Sequence, residues 1–168
     1  MVETEVDAGA EWDAAVDWPA LAAAAVGAAL QASPYGWMAD AAFTAEISVK
    51  LTDDAEVHKL NASYRGKDRP TNVLSFPMVQ PDLFEGLANS DDGEVLLGDI
   101  VLAHGVCTAE ADAKGIPVET HATHLIVHGT LHLLGYDHEG DADADGMEAI
   151  ERAALAALGI DDPYAIDD

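Results

Sequence analysis

The order of elements legible in this sequence predicts an α+β (α/β-like) domain: a small mixed β-sheet flanked by helices. Three observations carry that expectation. Short β-patterned runs alternate with helical ones; glycine or proline stands at most of the junctions; and the run from Val95 to Ala103 is apolar enough for a strand covered on both faces. A chain of 168 residues is one domain's worth, so residues 1–168 are expected to act as a single domain.

In chain order, residues 1–11 read either as a short initial strand or as a frayed end. Trp18 to Ala32 reads as a helix, with Pro19 suited to the first turn and Ser33-Pro34 past the end. Its many alanines lose little side-chain entropy there. Ala45 to Leu51 alternates, putting Ile47, Val49 and Leu51 on one side of a strand. Thr52 and Asp53 or Asp54 then offer an N-cap for a helix to about Tyr64, closed by Gly66. Asn72 to Phe76 is a second strand ended by Pro77, residues 78–94 form a loop, and Val95 to Ala103 is the third strand. Three helices complete the chain: His104 to Lys114, stopped by Gly115; about Val118 to Leu134, opened by Pro117 and stopped by Gly135; and about Asp143 to Leu158, followed by Gly159.

Composition excludes several classes. Hydrophobic residues at 49% exclude a disordered chain, and the single cysteine, Cys107, excludes an internal disulfide framework or a zinc site made of thiolates alone. No run of 18 apolar residues exists, and Glu3, Glu5 and Asp7 replace the basic start of a secretory signal, so the expectation is a reduced, cytoplasmic protein without a membrane partner. The formal net charge of −25 argues against a broad polyanion-binding surface. Yet five of the seven basic residues, Lys50, Lys59, Arg65, Lys67 and Arg69, fall within residues 50–69, and that segment holds only four acids.

Four of the seven histidines, His121, His124, His128 and His132, lie in one predicted helix. His128 and His132 are four apart, so their imidazoles leave the same face one turn apart, within reach of one metal ion. Gly135 ends the helix, and the turn through Tyr136-Asp137 brings His138 back beside that face. Three imidazoles without a fourth protein ligand are the donor set of a catalytic zinc, a zincin-like arrangement with one position open to water. His124 has no ligand role in such a site and reads as a supporting or packing residue. The spacing also fits the metzincin protease signature, except that Gly129 stands where those enzymes place a glutamate base. Neither Glu139 nor Glu148 is placed by any spacing to replace it, so a peptidase is disfavoured.

Asn61 to Pro77 reads N-A-S-Y-R-G-K-D-R-P-T-N-V-L-S-F-P. Arg65, at a helix end before a Pro-Thr turn, offers a planar fork of donors that suits a phosphate. A salt bridge to Asp68 or another local acid is the competing role for it.

These segments together resemble the YbeY family of bacterial endoribonucleases and ribosomal RNA maturation factors. The resemblance rests on residues 61–77, L-G-D-I at 97–100, H-G-T-L-H-L-L-G-Y-D-H at 128–138, and L-G-I-D-D-P-Y at 158–164. It implies a metal-dependent, single-strand-selective endoribonuclease acting in 16S ribosomal RNA 3′-end maturation and ribosome quality control. It also implies one Zn2+ held by His128, His132 and His138, with Arg65 and His128 in catalysis. Asn72 stands where many family members have aspartate. The acidic bulk implies that contact with precursor RNA is confined to the strip near Arg65, with small-subunit ribosomal proteins and assembly factors supplying much of the docking. The alternative is a ribosome-assembly adaptor whose zinc is purely structural, with Asp137 as a fourth ligand.

Overall fold

The computed structural model describes residues 1–87, 93–137 and 140–163. Its elements in order are β1 (Val2–Ala8), α1 (Trp18–Ala32), a 3-10 turn (Gly36–Asp40), β2 (Thr44–Thr52), α2 (Asp54–Arg65) and β3 (Val73–Pro77). A second 3-10 turn (Pro81–Leu83) then leads to α3 (Phe84–Leu87), β4 (Glu94–Ala103), α4 (His104–Lys114), α5 (Val118–Leu133) and α6 (Asp141–Ala157). The sheet order is β1-β2-β4-β3, with β1, β2 and β4 parallel and β3 antiparallel along β4 as an edge strand. The fold is thus α+β with a small mixed sheet between helices.

Local chemistry explains most of these elements. Val2, Thr4 and Val6 alternate with exposed Glu3 and Glu5, and this half-buried face pairs in register with β2, which makes the first residues a strand rather than a frayed end. Asp17 caps α1 by accepting from the Ala20 N–H, and Asp53 caps α2 by accepting from the Glu56 N–H at 2.8 Å. Gly66 ends α2 with a φ of 67°, a left-handed conformation open to glycine at no steric cost.

Helices α1 and α5 pack on one face of the sheet, and α6 packs on these two helices. Ala22, Ala25 and Ala29 are buried there, small enough for close approach between helices, against Ile47, Val49, Ile100 and Leu102 of the sheet and Ile126 and Leu131 of α5. Helix α2 covers part of the opposite face, over Leu74, Val101 and Ala103. The expectation that the third strand is covered on both faces therefore holds only for its C-terminal half, because α2 reaches no further; Leu96 is exposed. Residues 78–94 were expected to be a loop. The 3-10 turn and α3 fall within them because Phe84 buries its ring edge-on to Tyr35, with centroids 5.1 Å apart, and so anchors the segment to the core. No helix among the described residues is long and apolar enough to cross a membrane.

Candidate active site

Helix α5 runs through the middle of the core. From His121 to Leu134 every residue is buried except His128 and His132, which are half-buried and open to one cleft. The cleft, of about 420 Å3, is lined by Arg65, Thr71, Asn72, Val73, Ser75, Pro77, His128 and His132. One wall is the end of α5; the other is edge strand β3, whose Val73, Ser75 and Pro77 point toward α5 while Leu74 and Phe76 point away.

Each histidine ring is held by its Nδ1. That of His132 bonds the Tyr136 carbonyl at 2.9 Å. The carbonyl is there because α5 ends in a Schellman turn: the Gly135 N–H bonds the His132 carbonyl and the Tyr136 N–H bonds the Leu131 carbonyl, both at 3.0 Å. Gly135 carries a φ of +97°, and a Cβ there would lie 2.3 Å from Pro81 Cγ, so position 135 accepts only glycine. The Nδ1 of His128 bonds a carboxylate oxygen of Glu151, from α6. Carbonyl and carboxylate oxygens only accept, so both rings carry their proton on Nδ1 and turn an Nε2 lone pair toward the same point.

The two Nε2 atoms are 2.9 Å apart. Lone pairs facing at that distance repel unless a proton, in an N–H···N bond, or a metal ion lies between them. The separation is close to the roughly 3.3 Å that two nitrogens hold around one tetrahedral ion at about 2.05 Å. The donor set therefore fits a divalent ion, with His128 and His132 as two of its ligands. Among the described residues no group of three or more His, Cys, Asp or Glu side chains is placed to hold a metal ion. The pair needs a further donor, and His138, expected as the third, lies outside the described residues. Asp137, the residue on which a four-ligand structural site turns, lines a separate concavity with Tyr136, Asp143 and Met147.

Gly129 is packed against the sheet. A Cβ added there would lie 2.9 Å from Ile100 Cγ2 and 3.1 Å from Ser75 Oγ, so any side chain must displace the sheet and one as long as glutamate has no space.

Arg65 is the last residue of α2, on the cleft's rim. Asn61, buried at 1% exposure, donates from Nδ2 to the Arg69 carbonyl at 2.8 Å, which folds residues 66–69 back and leaves Arg65 at the tip. The salt bridge to Asp68 is not formed: Asp68 pairs with His58 at 2.7 Å, and among the described residues no carboxylate pairs with Arg65. Asn72 donates to Glu110 at 3.0 Å, which an aspartate could not do while ionised, so the departure at this position has a local partner.

The remaining α5 histidines are supports. His121, at 2% exposure, bonds Glu110 at 2.9 Å; burial pushes its pKa below the usual histidine value, against the pull of Glu110. His124 bonds Glu151 at 3.2 Å, and Glu151 in turn holds His128. Glu151 is the residue sequence reasoning missed. It comes from a helix 23 residues further on, and a glutamate in an acidic chain reads as solvated surface. Glu148, weighed on sequence, pairs with Arg152 on the surface of α6, and Glu139 lies outside the described residues. Cys107 is fully buried, its thiol pushed up to about 12 by burial, consistent with an inert apolar residue.

The sequence profile of the family described as endoribonuclease YbeY matches residues 17–159. The chain belongs to the YbeY family. It is 65% identical over 166 residues to the endoribonuclease YbeY of Rhizorhabdus wittichii, covering 99% of this chain and 98% of that one. It is 61% identical to that of Sphingopyxis alaskensis over the whole of both chains, and 48% identical to that of Zymomonas mobilis over 98% of this chain and 94% of the other. A solution structure of a Thermotoga maritima protein shares the fold, with a TM-score of 0.54 at 20% identity, covering 99% of this chain and 100% of the other.

Proposed function

We propose that the chain is a zinc-dependent, single-strand-selective endoribonuclease that acts in 16S ribosomal RNA 3′-end maturation and ribosome quality control, with residues 1–168 working as one domain. Endoribonuclease activity tied to ribosomal RNA processing follows from the family. The single observation that supports zinc at this site is the convergence of the His128 and His132 Nε2 atoms at 2.9 Å on a cleft whose rim carries Arg65.

In this reading His128, His132 and His138 hold one zinc ion. Bound zinc supplies Lewis acidity that activates water and polarises the scissile phosphate. The protein's part is positional and electrostatic. His128 and His132 are fixed with Nε2 unprotonated by their Nδ1 partners. Arg65, which cannot deprotonate, meets the charge that develops on the phosphoryl oxygens. A peptidase reading finds no support, because position 129 has no room for a base.

The acidic remainder of the chain supports short RNA contact near Arg65, with small-subunit ribosomal proteins and assembly factors contributing the rest of the docking. Affinity for single-stranded RNA then falls with salt at a slope corresponding to fewer than about six phosphates, at about 0.7 per phosphate. A steeper slope overturns the short-contact reading.

The test of function is cleavage of a single-stranded RNA beside a duplex and a casein-type peptide, with and without a chelator. Chelator-sensitive cutting of the single strand alone, restored by zinc, is the expected result. Undiminished cutting after full metal removal, or cutting of the peptide, contradicts it.

A further inference from the structure

Helix α6 turns one stripe inward, and Met147, Ala154 and Leu155 on it are buried at 1% exposure or less. Position 151 lies on the same stripe, four residues after Met147 and three before Ala154, and helical periodicity calls for an apolar residue there. It is instead a glutamate with 0% exposure. A buried carboxylate costs stability unless charge or hydrogen bonds compensate it, so its presence on a core stripe calls for a local reason.

The reason visible in the structure is a pair of histidines on the facing helix. One carboxylate oxygen of Glu151 bonds Nδ1 of His128; the other bonds Nε2 of His124 at 3.2 Å. The two histidines are one helical turn apart on α5, so the carboxylate bridges successive turns of the same face. His124 fixes where the carboxylate sits, and the carboxylate fixes which nitrogen of His128 carries the proton. A ring whose Nδ1 donates to a carboxylate offers an Nε2 lone pair to the cleft and has raised donor strength.

We infer that Glu151 is a positioning residue for the metal site, acting through His128 and itself held by His124. This inference rests on the proposal that His128 and His132 bind zinc. It adds that a third helix, α6, sets the affinity of that site from within the core. With an amide at position 151, an N–H2 faces either His128 Nδ1 or His124 Nε2, so one of the two histidines must change tautomer. With alanine, both lose their acceptor.

The test is zinc affinity of the full-length protein, measured by competition with a chromophoric chelator, for wild type, Glu151→Gln, Glu151→Ala and His132→Ala, with thermal melting of each metal-free protein alongside. Outer partners of metal-binding histidines weaken binding by about 10–100-fold when removed. The expected result is a loss near the lower end of that range for Glu151→Gln and near the upper end for Glu151→Ala, with His132→Ala losing more than either. Wild-type affinity in both Glu151 variants, together with loss in His132→Ala, overturns the inference and leaves the zinc reading standing. If wild type itself takes up no zinc, or His132→Ala binds as wild type does, both fall.

A readout on unmodified protein covers the case in which the variants do not fold. Imidazole 15N spectra of the zinc-loaded wild-type chain should show His128 protonated on Nδ1. Zinc on Nδ1, with the proton on Nε2, overturns the inference.

Discussion

The two halves of α5 carry the same residue type at similar spacing and use it for opposite purposes. His121 and His124 are 2% and 8% exposed and bond Glu110 and Glu151 within the protein. His128 and His132 are half-buried, bond inward through Nδ1 and leave Nε2 facing a cleft. Spacing brings rings together; what separates the two pairs is where Nε2 points, to a carboxylate of another helix in His121 and His124 and to the cleft in His128 and His132. Carboxylates of α4 and α6 meet the first half of α5, while the second half lies beside the short edge strand β3.

The sharpest way to break this comparison is substitution in both halves. His128→Ala and His132→Ala should lose zinc and lose RNA cleavage by more than the about 10²–10³-fold expected when one charge-stabilising donor is removed. His121→Gln, keeping a donor toward Glu110, should retain both zinc and cleavage. Metal analysis and a single-turnover cleavage assay on the same samples decide it, and equal losses from the two halves would contradict the division. Next in size is Arg65→Ala. It should hold zinc at the wild-type level and lose about 10²–10³-fold in cleavage rate. Retained cleavage removes Arg65 from the phosphate-binding role.

Stability gives the smaller effects. Gly129→Ala pushes a methyl into Ile100 and Ser75. Overpacking of this kind costs about 1–3 kcal/mol, partly offset by about 0.5–1 kcal/mol of helix preference for alanine. Urea unfolding should show a net loss; a gain would mean that β4 yields easily at this point. The smallest effect concerns His121, whose folded pKa lies below its unfolded value of about 6.5 because of burial. A group shifted in that direction contributes stability that is present above pH 6.5 and lost as the pH falls below it, because the unfolded chain then binds the extra proton. The decline in urea midpoint below pH 6.5 should therefore be shallower in His121→Gln than in wild type. An unchanged slope contradicts the burial argument.

Much of this was legible in the residues. Pro19, Asp53, Gly66 and Gly135 mark helix ends where the structure has them, because helix starts and stops are local chemistry. The four-residue interval between His128 and His132, with Gly135 beyond, set out two donors and a turn for the same reason. What sequence reasoning could not reach depends on contacts distant in the chain. Glu151 is one glutamate among 32 acidic residues until α6 folds onto α5. Phe84 marks a loop until its ring meets Tyr35. Gly129 read as a missing base, and only the packing of α5 on β4 shows that the position has no room for one.

The half of α5 that carries His128 and His132 is proposed to hold an ion with one position left open. X-ray absorption at the zinc edge on the full-length, zinc-loaded protein tests it most directly. One zinc per chain, with three imidazole nitrogens and one light atom that is not from the protein, is the expected result. A chain that retains no zinc, or an ion enclosed by four protein donors, would contradict it.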